Sequence, residues 1–120
     1  MMWPPMKLSN ATLISLINGI GAIQEVDFPV SASFALSQNT EALLDAYKPY
    51  ATEYDKINAK YGDKPELTAK VCELQSIEVE VELKTLPAEY LEIIVASPVR
   101  MAMVNLNALK HYIFCEREGE

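Results

Sequence analysis

A seven-residue recurrence between residues 36 and 61 constrains the fold of this chain more than any other feature. It consists of two series offset by four: Leu36, Leu43, Tyr50 and Ile57, and Thr40, Tyr47, Tyr54 and Tyr61. Together they form a heptad seam, the pattern of a helix that packs along an antiparallel neighbour. The seam predicts a long helix that starts at about Pro29 and ends at Gly62. Pro49 lies inside it and predicts a kink or a break at residues 45 to 49.

Three further helices are predicted around this long one. Ser9 or Asn10 can cap a first helix, whose apolar face runs through Leu13, Leu16, Ile17 and Ile20. Gly19 and Gly21 are expected to weaken the end of that helix. A shorter helix is predicted at about residues 66 to 75. Ser97-Pro98 predicts the start of a last helix that continues to about Phe114.

Residues 77 to 84 follow a different period, because apolar and charged side chains alternate at every position. Alternation of this kind is typical of a half-buried strand. A single strand needs a partner. Residues 91 to 95, residues 24 to 28 and a second subunit are the three candidates.

The fold class predicted by these segments is α+β, mainly α. It combines a long kinked helical hairpin and a C-terminal helix with a small antiparallel β element. The length of 120 residues fits one domain. We assign residues 6–115 to that domain, residues 1–5 to an extended N-terminal arm that contains two prolines, and residues 116–120 to a charged, frayed tail.

The charge balance makes nucleic acid an improbable partner. The chain carries 17 acidic and 10 basic residues, for a net charge of −7, and has no run of Lys or Arg. It also has no apolar stretch of the ~18 residues that a membrane span needs. Cys72 and Cys115 lie in apolar contexts without CxxC spacing, which predicts reduced core thiols. With no recognisable signal peptide, these features predict a cytoplasmic protein.

The sequence does not predict an enzyme, a cofactor or a metal site. His111 is the single histidine and has no recognisable catalytic partner. Nucleophile elbows, HExxH zinc motifs and glycine-rich phosphate loops are all missing from the sequence. We therefore expect the protein to act by binding.

Two sets of side chains are candidate binding residues. The first is the tyrosine set of the seam: Tyr47, Tyr50, Tyr54 and Tyr61. Tyrosine suits protein interfaces and base stacking, although tyrosines at helical spacing are more often part of a core. The second set is the glutamate ladder of the strand: Glu78, Glu80 and Glu82. These carboxylates either meet a cation or a basic partner, or form the solvated face of the strand.

Several short segments occur in one order along the chain: residues 6–10 with Leu13, Pro29-Val30 entering a helix with Ala35, Asn39 and Leu43, Lys48-Pro49-Tyr50, Lys60-Tyr61-Gly62, residues 78–81 and Ser97-Pro98. This order of segments resembles a group of small tailed-phage and prophage proteins of unassigned function. The resemblance implies a phage origin and a bacterial cytoplasm. It implies no activity.

Three functional hypotheses follow. The leading one is an accessory protein of phage type that binds another protein stoichiometrically and inhibits a host or defence component. The second is a sponge for a small ligand such as a signalling nucleotide, for which Lys48, Lys56, Lys60 and Arg100 are the few available cations. The third is a virion structural or assembly protein, held together as a homo-oligomer by the heptad seam.

Overall fold

The computed structural model describes residues 5–115 of the chain, and these form five helices and a two-stranded sheet. In chain order the elements are β1 (Met6–Ser9), α1 (Asn10–Ala22), α2 (Val30–Tyr61), α3 (Leu67–Ser76), β2 (Glu78–Val81), α4 (Tyr90–Ala96) and α5 (Met103–Tyr112). The predicted fold class, α+β and mainly α, is confirmed. The predicted tail at 116–120 and nearly all of the predicted arm at 1–5 lie outside the described residues.

Helix α1 is the element around which the others pack. Ser9 caps it, because the Ser9 Oγ accepts a hydrogen bond from the Thr12 backbone N–H at 3.2 Å. The predicted apolar face is confirmed in Leu13, Leu16 and Ile20, which are all buried. Since α1 contacts α5, α2, α3 and β1, its burial joins the N-terminal and C-terminal parts of the chain in one core.

Gly19 allows α1 and α5 to approach closely. The sequence predicted that glycine would weaken the end of α1, yet the helix continues through both Gly19 and Gly21 to Ala22. Gly19 is buried, and a Cβ added there would lie only 2.9 Å from the Leu109 Cγ on α5. A Cβ at Gly21 would meet no atom within 4 Å. Packing against α5 therefore compensates for the low helix propensity of Gly19.

Helix α2 runs for 32 residues through Pro49 without a break. At 1.5 Å per residue it is about 48 Å long, close to the 47 Å longest dimension of the protein. Pro49 removes the hydrogen bond to the Asp45 carbonyl. Both residues are exposed, so water can hydrate that carbonyl and the helix continues.

Burial along α2 stops before the heptad seam does. The buried residues of α2 are Ala32, Leu36, Asn39, Leu43 and Tyr50. No residue after Tyr50 on this helix is buried, although the seven-residue recurrence continues to Ile57 and Tyr61. The C-terminal part of α2 packs with α3, which follows a short turn after Gly62. The helical hairpin thus extends beyond the main core.

The predicted strand has a partner that the sequence reasoning missed. Strand β2 pairs antiparallel with β1, with Leu8 opposite Val79 and Lys7 opposite Glu80. Two of the candidate partners were wrong: residues 91–95 are helical, and residues 24–28 form a turn and an irregular segment. Strand β1 has only four residues, too few for its alternation to stand out from the start of α1.

The C-terminal region differs from the prediction in two respects. Residues 91–95 were a candidate strand but belong to α4. The sequence was ambiguous here, because a short apolar run does not distinguish a strand from a buried helical turn. Ser97 ends α4 rather than starting the last helix, and its hydroxyl donates a hydrogen bond to the Ile94 carbonyl. Helix α5 begins only at Met103. A serine followed by proline serves equally well where a helix stops.

Asn39 connects α2 to the segment after β2. Its Nδ2 donates to the Lys84 carbonyl at 2.9 Å, and its Oδ1 accepts from the Lys84 backbone N–H at 2.7 Å. The amide is 1% exposed and lies on the same helical face as Leu36 and Leu43. This pair of bonds holds the neighbouring Leu83 in the core, where it is 1% exposed.

One expectation about the cysteines was wrong. Cys72 lies on the exposed side of α3 rather than in the core, whereas Cys115 is half-buried. Leu74 is the buried residue of α3, and Cys72 precedes it by two positions. Positions two apart on a helix point in different directions, so burial of Leu74 leaves Cys72 in solvent.

Gly19 and Gly21 form a matched pair for testing the α1–α5 contact. Gly19→Ala should lower the free energy of unfolding by about 1–3 kcal/mol, because the added methyl group overlaps Leu109. Gly21→Ala should raise it by about 0.4–1 kcal/mol, because that position is open and alanine favours a helix. Urea denaturation of both variants measures the two changes. Equal effects of the same sign would contradict the proposed close approach.

Asn39→Ala should lower the free energy of unfolding by about 1–3 kcal/mol, since it removes both hydrogen bonds to Lys84. Asn58→Ala is the control, because Asn58 is an exposed asparagine on the same helix. We expect its effect to remain within about 0.5 kcal/mol. Thermal denaturation followed by circular dichroism compares the two. A tolerated Asn39→Ala would mean that these hydrogen bonds add little to stability.

Candidate functional site

The structure brings three of the four candidate tyrosines together. The Tyr47 and Tyr50 ring centroids are 5.5 Å apart, and those of Tyr50 and Tyr54 are 6.1 Å apart. Tyr50 is buried at 6% exposure, Tyr47 is half-buried and Tyr54 is 39% exposed. We call these three the tyrosine ladder. Only its outer member presents a substantial surface, so the ladder passes from the core to solvent.

Tyr61 lies apart from the ladder, at the end of α2. Three ammonium groups surround its half-buried ring: the Nζ atoms of Lys60, Lys64 and Lys70 lie 5.4, 6.0 and 5.7 Å from the ring centroid. Each contact is in the range of a cation–π interaction. The arrangement concentrates positive charge around an aromatic ring in a protein whose net charge is −7.

The glutamate ladder lies on the outer face of β2 and of the residue that follows it. Glu78, Glu80 and Glu82 are all exposed, whereas Val81 on the opposite face is 4% exposed. Lys7 stands opposite Glu80 across the strand pair, a favourable arrangement of charges. Within residues 5–115, no group of three or more His, Cys, Asp or Glu side chains is placed to hold a metal ion. The three glutamates thus form a negatively charged face that is exposed to solvent.

A groove that the sequence reasoning missed runs between α1 and the first half of α2. Its main part has a volume of about 440 Å³ and combines an apolar floor with a polar rim. The floor consists of Ile20, Ile23, Val26, Phe28 and Leu36. The rim consists of Gln24, Ser33, Ser37, Thr40 and Glu41. A second part of about 170 Å³ shares Ile20, Gln24 and Thr40 with the first and extends the groove to Ile17, Leu43 and Leu44. We call this feature the α1–α2 groove.

Large apolar side chains stand exposed along the α2 side of this groove. Val30 is 86% exposed, Phe34 is 64% exposed and Leu44 is 45% exposed. Val30 and Phe34 share a helical face with the groove residues Ser37 and Glu41, because these positions are separated by three or four residues. Val30 and Phe34 therefore lie next to the rim of the groove without lining it, whereas Leu44 is a lining residue.

The stretch of chain from Ile17 to Leu44, which supplies the groove lining, carries only negative charge. Between Leu8 and Tyr47 the sequence contains no Lys, Arg or His, while it has four carboxylates: Glu25, Asp27, Glu41 and Asp45. Asp45 pairs with Lys48 at 3.3 Å. Within residues 5–115, the other three form no ion pair. Two signals in the sequence could have indicated this surface: the cation-free stretch, and Phe34, an aromatic residue that falls outside the heptad seam.

The single histidine lies by a shallower depression between α1 and α5. This depression has a volume of about 290 Å³ and includes Thr12, Ser15 and Tyr112. His111 is exposed, and its ring meets the Tyr112 ring edge-on with centroids 4.6 Å apart.

No protein-family model matches the chain, and neither the curated proteins nor the solved structures gave a match. Within residues 5–115, none of the helices combines the length and apolar character needed to cross a membrane.

Replacing the buried and the exposed member of the tyrosine ladder should have different effects on stability. Tyr50→Ala should lower the free energy of unfolding by about 3–5 kcal/mol, because it leaves a cavity beneath α2. Tyr54→Ala should lower it by less than about 1 kcal/mol, since Tyr54 is exposed. Urea denaturation measures both. A large loss of stability in Tyr54→Ala would assign Tyr54 to the packing of the helix.

Proposed function

We propose that the protein acts without catalysis, by binding another protein stoichiometrically through the α1–α2 groove. In this proposal it is an accessory protein of phage type that inhibits or redirects a host or defence component in the cytoplasm. The observation that carries the proposal is the apolar groove itself, which Leu44 lines, together with the exposed side chains of Val30 and Phe34 next to its rim. Isolated exposed apolar residues are common on soluble proteins, whereas an apolar groove with exposed apolar side chains next to its rim favours a binding surface.

The chemistry of the groove supports a protein as the ligand. Its floor is aliphatic and aromatic, and its rim consists of neutral hydroxyl and amide groups together with Glu41. Protein interfaces have this anatomy, with an apolar centre and a polar edge. Phosphorylated ligands need cations or a helix N-terminus, and the groove lining contains neither Lys nor Arg.

The proposal predicts that the combined substitution Val30→Ser and Phe34→Ser abolishes partner capture while the protein remains folded. Both side chains are exposed, so their loss should change the free energy of unfolding by less than about 1 kcal/mol. Affinity capture of the tagged protein from its own host, followed by native mass spectrometry, measures the mass and stoichiometry of the complex.

Val95→Ser is the matched control for this experiment. Val95 is 75% exposed but lies on α4, away from the groove lining. It should retain the partner at the same stoichiometry as the original sequence. The proposed surface would be wrong if the double variant kept the partner, or if Val95→Ser and the double variant lost it equally.

The cluster at Tyr61 favours a second candidate function, the sequestration of a small anionic ligand. Its three lysines offer charge and its ring offers a stacking surface. Native mass spectrometry separates the two functions, because a sponge retains an added mass of a few hundred daltons rather than a protein. In that case Tyr61→Ala should remove the added mass, and the Val30→Ser, Phe34→Ser variant should keep it.

A further inference from the structure

We infer that the partner segment bound by the α1–α2 groove is an amphipathic helix with Lys or Arg side chains next to its apolar face. This inference rests on the proposed function and specifies the chemistry of the partner. Three observations carry it: the secondary structure of the groove walls, the length of the groove and the sign of the charges around it.

The groove walls determine the backbone conformation of the occupant. They are α1, the first half of α2 and the segment that connects them. Helices satisfy their backbone hydrogen bonds internally, so the middle of these walls offers no edge to which a strand could add. A peptide buried in the apolar groove must therefore satisfy its own backbone groups, and a helix does this. The binding mode is that of a helix in a groove.

The dimensions suit about three helical turns. Along α2 the groove extends from Ser33 to Leu44, which at 1.5 Å per residue is about 16 Å. A partner helix of similar length presents apolar side chains at intervals of three and four residues. The half-buried Ile17 and Val26 and the exposed Leu44 line the groove and are available to contact such a row. Phe34 stands next to the rim, where it can contact the edge of the bound helix.

The carboxylates around the groove indicate which side chains lie next to the apolar face of the bound helix. Glu41 lies in the groove rim, and Glu25 and Asp27 stand on either side of the groove residue Val26. All three are exposed and form no ion pair within residues 5–115. The sequence between Leu8 and Tyr47 contains no basic residue that could balance their negative charge. A partner with flanking Lys or Arg would be attracted to this surface, whereas an acidic helix would be repelled.

The experiment is a titration with three synthetic helical peptides of about 14 residues, a length that spans the groove with one extra turn. The first has a leucine face flanked by lysines, the second has the same face flanked by glutamates, and the third has the lysines but an alanine face. Fluorescence anisotropy measures affinity at two salt concentrations. Circular dichroism measures the helicity that the peptide gains on binding. We expect the first peptide to bind as a helix at least about tenfold more tightly than either control.

Two protein variants assign the binding to the groove. Phe34→Ser should weaken the first peptide at least about tenfold. The combined Glu25→Gln and Glu41→Gln variant should weaken it and reduce the salt dependence of its affinity. Glu89→Gln with Glu92→Gln changes the net charge equally at two exposed residues outside the groove, and should leave affinity unchanged.

Each alternative outcome overturns the inference in a distinguishable way. Equal binding of the lysine and glutamate peptides, with both weakened by Phe34→Ser, would reject the basic partner but keep the groove as a binding surface. Binding without a gain in helicity would reject the helix. If no peptide binds and Phe34→Ser converts an oligomer to a monomer in sedimentation, a second copy covers the groove, and both this inference and the proposed function fail. Binding that is insensitive to Phe34→Ser would place the peptide elsewhere on the protein.

Discussion

Helix α1 is buried at the centre of the protein, and its contacts hold the other elements in place. Its residues Leu13 and Leu16 are fully buried, and the helix contacts α5, α2, α3 and β1. The close approach at Gly19 brings α5 against one side of it. Capping by Ser9 fixes where it begins, directly after β1. Because one short helix is shared by so many neighbours, the core is continuous from Leu8 to Phe114.

The unequal lengths of α1 and α2 explain where the candidate surfaces lie. Helix α1 has 13 residues and α2 has 32, so α1 covers only part of its partner. Where the two helices lie side by side, their walls leave the α1–α2 groove. Beyond Tyr50 no α2 residue is buried, and the hairpin with α3 extends with Tyr61 and its lysines. The geometry thus separates the apolar groove from an aromatic ring that three lysines surround.

Most of the helical framework and only part of the candidate site could be predicted from the sequence. The heptad seam identified α2, its start after Pro29 and its end before Gly62, because periodicity and helix-ending residues are local signals. The tyrosines were correctly grouped on one helix, but their division into a buried Tyr50, an exposed Tyr54 and a separate Tyr61 depended on where α1 ends and α3 begins. The groove was missed because its two walls belong to different helices.

The spacing of side chains along single segments predicts α1, α2, α3 and the region of β2, together with their apolar faces. The predicted strand at residues 77–84 is longer than the observed Glu78–Val81. The pairing of β1 with β2, the contact between Gly19 and Leu109 and the helix at residues 91–95 emerge only when the chain packs. Each of these outcomes depends on which distant segments meet. A local pattern fixes what a segment can bury, and the packing of the whole chain selects what it is buried against.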